Sequence, residues 1–74
     1  MVYENIKKLV GKIAECGYTR KTFAEALGMS EVTLRRKMFD AKAEFTTSEI
    51  LLIKDLLNLT IEEFELIFFN INLN

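Results

Sequence analysis

An all-α fold, a compact five-helix domain, is predicted by three features of this 74-residue chain. Apolar residues recur at helical spacing along nearly its whole length. No proline interrupts any of these stretches. Ser or Thr stands just before four of them, where a side-chain oxygen can satisfy the free N–H groups of a helix start.

The first helix is expected from about Tyr3 to Cys16, with Ile6, Leu9, Val10 and Ile13 on its inner face and lysines opposite. Gly17 stops it. Thr19 then caps a second helix that runs to about Leu27. Phe23 and Leu27 point inward there, and Ala24 sits where two crossing helices need a small side chain. Gly28 follows, at a left-handed position that is favourable only for glycine. Ser30 caps a third helix ending near Met38 or Phe39, with Leu34 and Met38 inward. Two short amphipathic helices joined by the tight Leu27-Gly28-Met29-Ser30 turn make a helix-turn-helix over about 20–38. Whether Phe39-Asp40 prolongs the third helix or bends the chain is open at this level.

A polar connection leads to Phe45 and then to Thr46-Thr47-Ser48-Glu49, a capping box, with Phe45 and Ile50 spaced as a hydrophobic staple. The fourth helix is expected to reach about Leu57 and to bury Ile50, Ile53, Leu56 and Leu57. Asn58 can take the left-handed exit position. Thr60-Ile61-Glu62-Glu63 repeats the capping box and opens a fifth helix to about Phe69. A short tail, 70–74, is expected to be irregular. Residues 1–74 thus read as one domain with no repeat or linker; the plainer alternative is a helical bundle in which the Gly28 turn is incidental.

Composition narrows the chemistry. The chain has one cysteine, Cys16, and no histidine, which excludes an internal disulfide, His-dependent zinc sites and catalysis by histidine. It has no glycine-rich phosphate loop, and its adjacent carboxylates, such as Glu62 and Glu63, fall on exposed helix surface, so no enzyme activity, cofactor or small-molecule ligand is expected. Neither a signal peptide nor an apolar run of membrane-spanning length is seen, and a cytoplasmic protein is the expectation.

The net charge of −1 argues mildly against a nucleic-acid partner, but the charge is unevenly spread. Residues 1–18 carry Lys7, Lys8 and Lys12 against Glu4 and Glu15. Residues 19–42 carry Arg20, Lys21, Arg35, Arg36, Lys37 and Lys42 against Glu25, Glu31 and Asp40. Residues 43–74 carry only Lys54 against Glu44, Glu49, Asp55, Glu62, Glu63 and Glu65. The basic excess therefore coincides with the helix-turn-helix.

At Thr19, Phe23-Ala24, Leu27-Gly28-Met29-Ser30, Thr33-Leu34 and Met38 the chain resembles the phage repressor and Cro-like helix-turn-helix domains, the xenobiotic-response-element family. Phe39-Asp40 stands where many of those relatives have Asn-Gly. The resemblance continues through Glu44-Phe45-Thr46-Thr47-Ser48-Glu49-Ile50 and the helices beyond. It implies a lambda-repressor-like fold and a sequence-specific DNA-binding regulator of phage or prophage origin, with double-stranded DNA as partner.

With Leu34 and Met38 inward, the third helix offers Glu31, Val32, Thr33, Arg35 and Arg36 outward. By resemblance, Glu31, Val32 and Arg36 match positions that often touch bases, and Thr33, in the first turn with Glu31 and Val32, is a further base-contact candidate. Glu can accept from a cytosine amino group, Val can pack on a thymine methyl, and Arg can hold guanine with two hydrogen bonds. Glu31 has a second reading, compensation of the helix dipole. Arg20 matches a phosphate-binding position of the family, and Lys21, Arg35, Lys37 and Lys42 are further candidates, each of which could instead be a solvated surface charge. If about five engage, affinity should fall about a hundredfold or more between 50 and 200 mM salt.

At the other end Phe64, Ile67 and Phe68 share a helical face and Phe69, Ile71 and Leu73 continue apolar, more than so small a domain easily buries. Related repressors pair through this last helix, so Ile67, Phe68, Phe69 and Ile71 are the expected homodimer surface, the alternative being that Phe64 and Phe68 are simply core. A competing function is a protein-binding module on the same fold, an anti-repressor or phage-encoded inhibitor, favoured by the acidic pI, by Glu31 and by the apolar tail.

Overall fold

The computed structural model describes residues 3–40 and 42–69. Helix α1 spans Tyr3–Glu15, α2 Arg20–Leu27, α3 Glu31–Phe39, α4 Thr47–Leu56 and α5 Ile61–Phe64, the last continuing without a break into a π-helical stretch, Glu65–Phe69. Among the described residues there is no strand. The five-helix, all-α architecture is the one the periodicity predicts. The expected irregular tail, 70–74, lies outside the described residues.

Local chemistry starts four of these helices. Thr19, Ser30, Thr46 and Thr60 each hold an extended backbone and accept the N–H of the residue three positions on. At Thr46 and Thr60 the N3 glutamate reaches back to the cap N–H, as the capping boxes predict. At Thr19 the hydroxyl of Thr22 takes that role, at 2.8 Å. Three helices end alike. The N–H groups of Tyr18, Met29 and Leu59 return to the carbonyls of Ile13, Ala24 and Lys54, with Gly17, Gly28 and Asn58 left-handed between, at φ +85°, +74° and +49°. This six-to-one closure satisfies carbonyls that a helix end would leave bare. Asp40, at φ −91° and ψ 120°, is extended, so α3 includes Phe39 and the chain bends after it.

One core draws on every long helix: Ile6, Leu9 and Ile13 of α1, Phe23, Ala24 and Leu27 of α2, Leu34 and Met38 of α3, Ile53 of α4, then Leu57, Leu59 and Ile67. Burying each large aliphatic side chain stabilises by about 1.5–3 kcal/mol. Tyr18 packs its ring edge-on against Phe23 at 5.2 Å, sealing the start of α2. Val10, expected inside, is 38% exposed, and Ile50 and Leu56 are only half-buried.

The C-terminal stretch departs from the predicted regular α-helix. Phe64 and Phe69 lie five residues apart with ring centroids at 5.4 Å. At 3.6 residues per turn they would point about 140° apart. The i→i+5 turn brings them together while Ile67 enters the core at 2% exposure. Phe45 closes over this end, edge-on to Phe68 at 6.2 Å.

Candidate DNA interface

The capped start of α2 leaves Arg20 and Lys21 exposed in its first turn. The Gly28 turn and the Ser30 cap then set α3 against α2, and Ala24 of α2 is almost completely buried. Nothing lies within 4 Å of where a Cβ on Gly28 would stand, so glycine is needed there for its φ and not for space.

On the outer surface, Arg20, Glu31, Val32 and Arg35 line one shallow depression. Val32, Arg35, Arg36, Phe39 and Asp40 line the next one. Residues of α2 and α3 thus meet along one face. The candidates Arg20, Lys21, Glu31, Val32, Arg35 and Arg36 are all exposed. Lys42 is exposed as well, beyond the end of α3, where its backbone N–H donates to the Asp40 carboxylate at 2.9 Å. Among the described residues, no carboxylate lies within ion-pair distance of Arg20, Lys21, Arg35, Arg36 or Lys42. Glu31 occupies the first turn of α3, with Arg36 and Lys37 in the last, so each charge opposes the partial charge of its helix end.

Two members of the expected set have different surroundings. Thr33 is half-buried, and its hydroxyl accepts a hydrogen bond from the Ser30 hydroxyl at 2.9 Å. Lys37 does not stand with the other cations. Its ammonium bonds both oxygens of Glu49, at 2.6 and 2.8 Å, and only 19% of the side chain is exposed. The reason is geometric: the capping box that starts α4 points the Glu49 carboxylate at the back of α3. Burial pushes the Glu49 carboxyl up, but the Lys37 ammonium and the Thr46 N–H outweigh it and hold the carboxyl below its ordinary value. A lysine so engaged is not available to a phosphate. Lys12 is likewise bound, to Glu63 at 2.6 Å, and Lys54 lies 5.9 Å over the ring of Phe64.

The expected pairing surface is also redrawn. Ile67, within the π-helical stretch, is part of the monomer core at 2% exposure and offers nothing to a partner. Phe68 is half-buried against Phe45 and Phe64, Phe69 is 55% exposed, and Ile71 lies outside the described residues. Phe39, 53% exposed on α3, is the residue that sequence reading passed over. A signal was present: it lies seven residues after Val32, two turns along the same outward face.

No described helix is long and apolar enough to cross a membrane, and the described residues contain no cluster able to hold a metal ion. Residues 1–71 match the model of the family described as "Protein of unknown function (DUF739)". No curated protein and no solved structure matches the chain.

Proposed function

We propose that this chain, which belongs to the DUF739 family, is a sequence-specific DNA-binding regulator of the Cro-like kind, of phage or prophage origin and acting in the host cytoplasm. One observation carries the reading. The cations of the helix-turn-helix face, Arg20, Lys21, Arg35 and Arg36, gather on one side, exposed and without a carboxylate partner among the described residues, whereas Lys12 and, on the back of α3, Lys37 are neutralised by glutamates and the exposed Lys8 of α1 stands apart from that face. A surface left electrostatically unsatisfied on one side suits a polyanion.

In this reading α3 enters the major groove. Glu31, Val32 and Arg36 meet base edges, Thr33 supports the first turn, and Arg20, Lys21, Arg35 and Lys42 hold phosphates. Pairing through Phe68, Phe69 and Ile71 would set two such helices one DNA turn apart. A second reading, a protein-binding module, draws on the exposed apolar Val32 and Phe39, at 70% and 53%.

Fluorescence anisotropy on duplexes from upstream of the chain's own gene and on scrambled duplexes tests both. Preference for the upstream duplex, with affinity falling about a hundredfold from 50 to 200 mM salt, is expected for about four phosphate contacts. A folded protein that ignores both duplexes at tens of micromolar would leave the protein-binding module standing.

A further inference from the structure

Val32 and Phe39 lie on one line along the outward face of α3, with Arg35 and Arg36 to either side of it. Seven residues at 3.6 per turn return the chain to within about 20° of its starting direction and advance it about 10 Å. Both residues are more than half exposed, and one depression runs between them, with the two arginines in its walls. Neither is needed to hold α3 in place, because Leu34 and Met38 on the opposite face are fully buried. The helix therefore presents an apolar spot, a pair of cations, and a second apolar spot about 10 Å on.

In the major groove the thymine C5-methyl is the apolar group on the base edges, and guanine presents the acceptor pair that arginine fits. A helix lying in the groove follows its inclined path, along which successive base edges are farther apart than the rise of about 3.4 Å on the duplex axis, so about 10 Å reaches from one base pair to the second beyond it. Resting on the DNA-binding reading above, we infer that α3 recognises a half-site bounded by two thymine methyl groups about two base pairs apart. One packs on Val32 and the other on Phe39, with a guanine between them held by Arg36. Phe39 is then a specificity-determining residue. The flanking cations supply charge complementarity to the groove walls, and the bend at Asp40 ends the helix where the second methyl is met.

Selection from a random duplex pool identifies the bound sequence, and replacement of single thymines by deoxyuridine removes one methyl without changing base pairing. The selected site should carry thymines at this spacing, and each replacement should weaken binding about fourfold, the value of one buried methyl group. Phe39→Ala should abolish the deoxyuridine effect at one thymine and leave it at the other, and Val32→Ala should do the converse. Thermal melts of both variants should match the parent, since both side chains are exposed. Selected sites without the thymine pair, or a methyl effect that persists in Phe39→Ala, would overturn the assignment. So would a Phe39→Ala variant with unchanged DNA binding but lost self-association, which would give the patch to a second copy. A pool that yields no preferred sequence would sink the DNA-binding reading itself, a different result from enrichment of the wrong pattern.

Discussion

The Lys37 ammonium meets both carboxylate oxygens of Glu49, at 2.6 and 2.8 Å, and the same carboxylate accepts the Thr46 backbone N–H at 2.8 Å. One glutamate therefore closes the capping box of α4 and ties that helix to α3. The side chains are 19% and 22% exposed, so water screens the pair only in part.

Replacing Glu49 separates these two roles. Glu49→Ala opens the capping box and leaves a mostly buried ammonium without its partner, and should destabilise by about 1–2 kcal/mol in urea unfolding. Glu49→Gln can still reach the Thr46 N–H, and should lose only about 0.5 kcal/mol, the scale of a partly screened ion pair. Equal losses for the two would show that the charge, and not the cap, dominates.

Stability should fall at both extremes of pH. Lys37 and the Thr46 N–H hold the Glu49 carboxyl below its ordinary value of 4.5 against the opposing effect of burial, and hydrogen bonds from Lys12 and then the Thr60 N–H do the same for Glu63. Each group binds protons more weakly folded than unfolded, so its contribution is present above pH 4.5 and is lost as pH falls through the lowered folded value. Lys12 is raised above 10.5, chiefly by its bond to Glu63, so its contribution holds below pH 10.5 and is lost as pH rises through the raised value. Urea midpoints against pH should show both limbs. Glu63→Gln should make each of them shallower; limbs unchanged in that variant would count against the Lys12–Glu63 pair.

Under the proposed DNA-binding function, the salt dependence of binding should sort the cations. Arg20→Ala and Arg35→Ala should each lower the slope of log affinity on log salt by about 0.9. Lys37→Met should leave the slope as it is, because that ammonium is already neutralised by Glu49. A fall in slope for Lys37→Met would mean that the ion pair opens on DNA.

Ile67 and Phe69 should separate folding from pairing. Ile67→Ala, at a site 2% exposed, should destabilise the monomer by about 2–5 kcal/mol. Phe69→Ala, at a side chain more than half exposed, should change monomer stability by less than about 1 kcal/mol and weaken any self-association seen by sedimentation. Unaltered sedimentation of Phe69→Ala would remove Phe69 from the pairing surface.

Helix order and most helix ends could be read from the sequence alone, because they follow from chemistry within a few residues. Thr19, Ser30, Thr46 and Thr60 cap the N–H three positions on, and Gly17, Gly28 and Asn58 take left-handed exits that other residues adopt at greater strain. Periodicity likewise assigned Phe23, Leu27, Leu34 and Met38 to the interior. It also pointed to the outward residues of α3, although Phe39 was passed over.

What only the tertiary structure decided depends on residues distant in the chain. Glu49 lies twelve positions from Lys37, and no local pattern says that a basic residue of α3 will meet a carboxylate from the cap of α4. The π-helical stretch that holds Ile67 has no mark in the local sequence. It accompanies the packing of Ile67 into the common core and of Phe68 between Phe45 and Phe64. Local hydrogen bonds and turn conformations act within a few residues and so are written in the sequence; which charge is neutralised and which apolar face is covered depend on what the rest of the chain brings alongside.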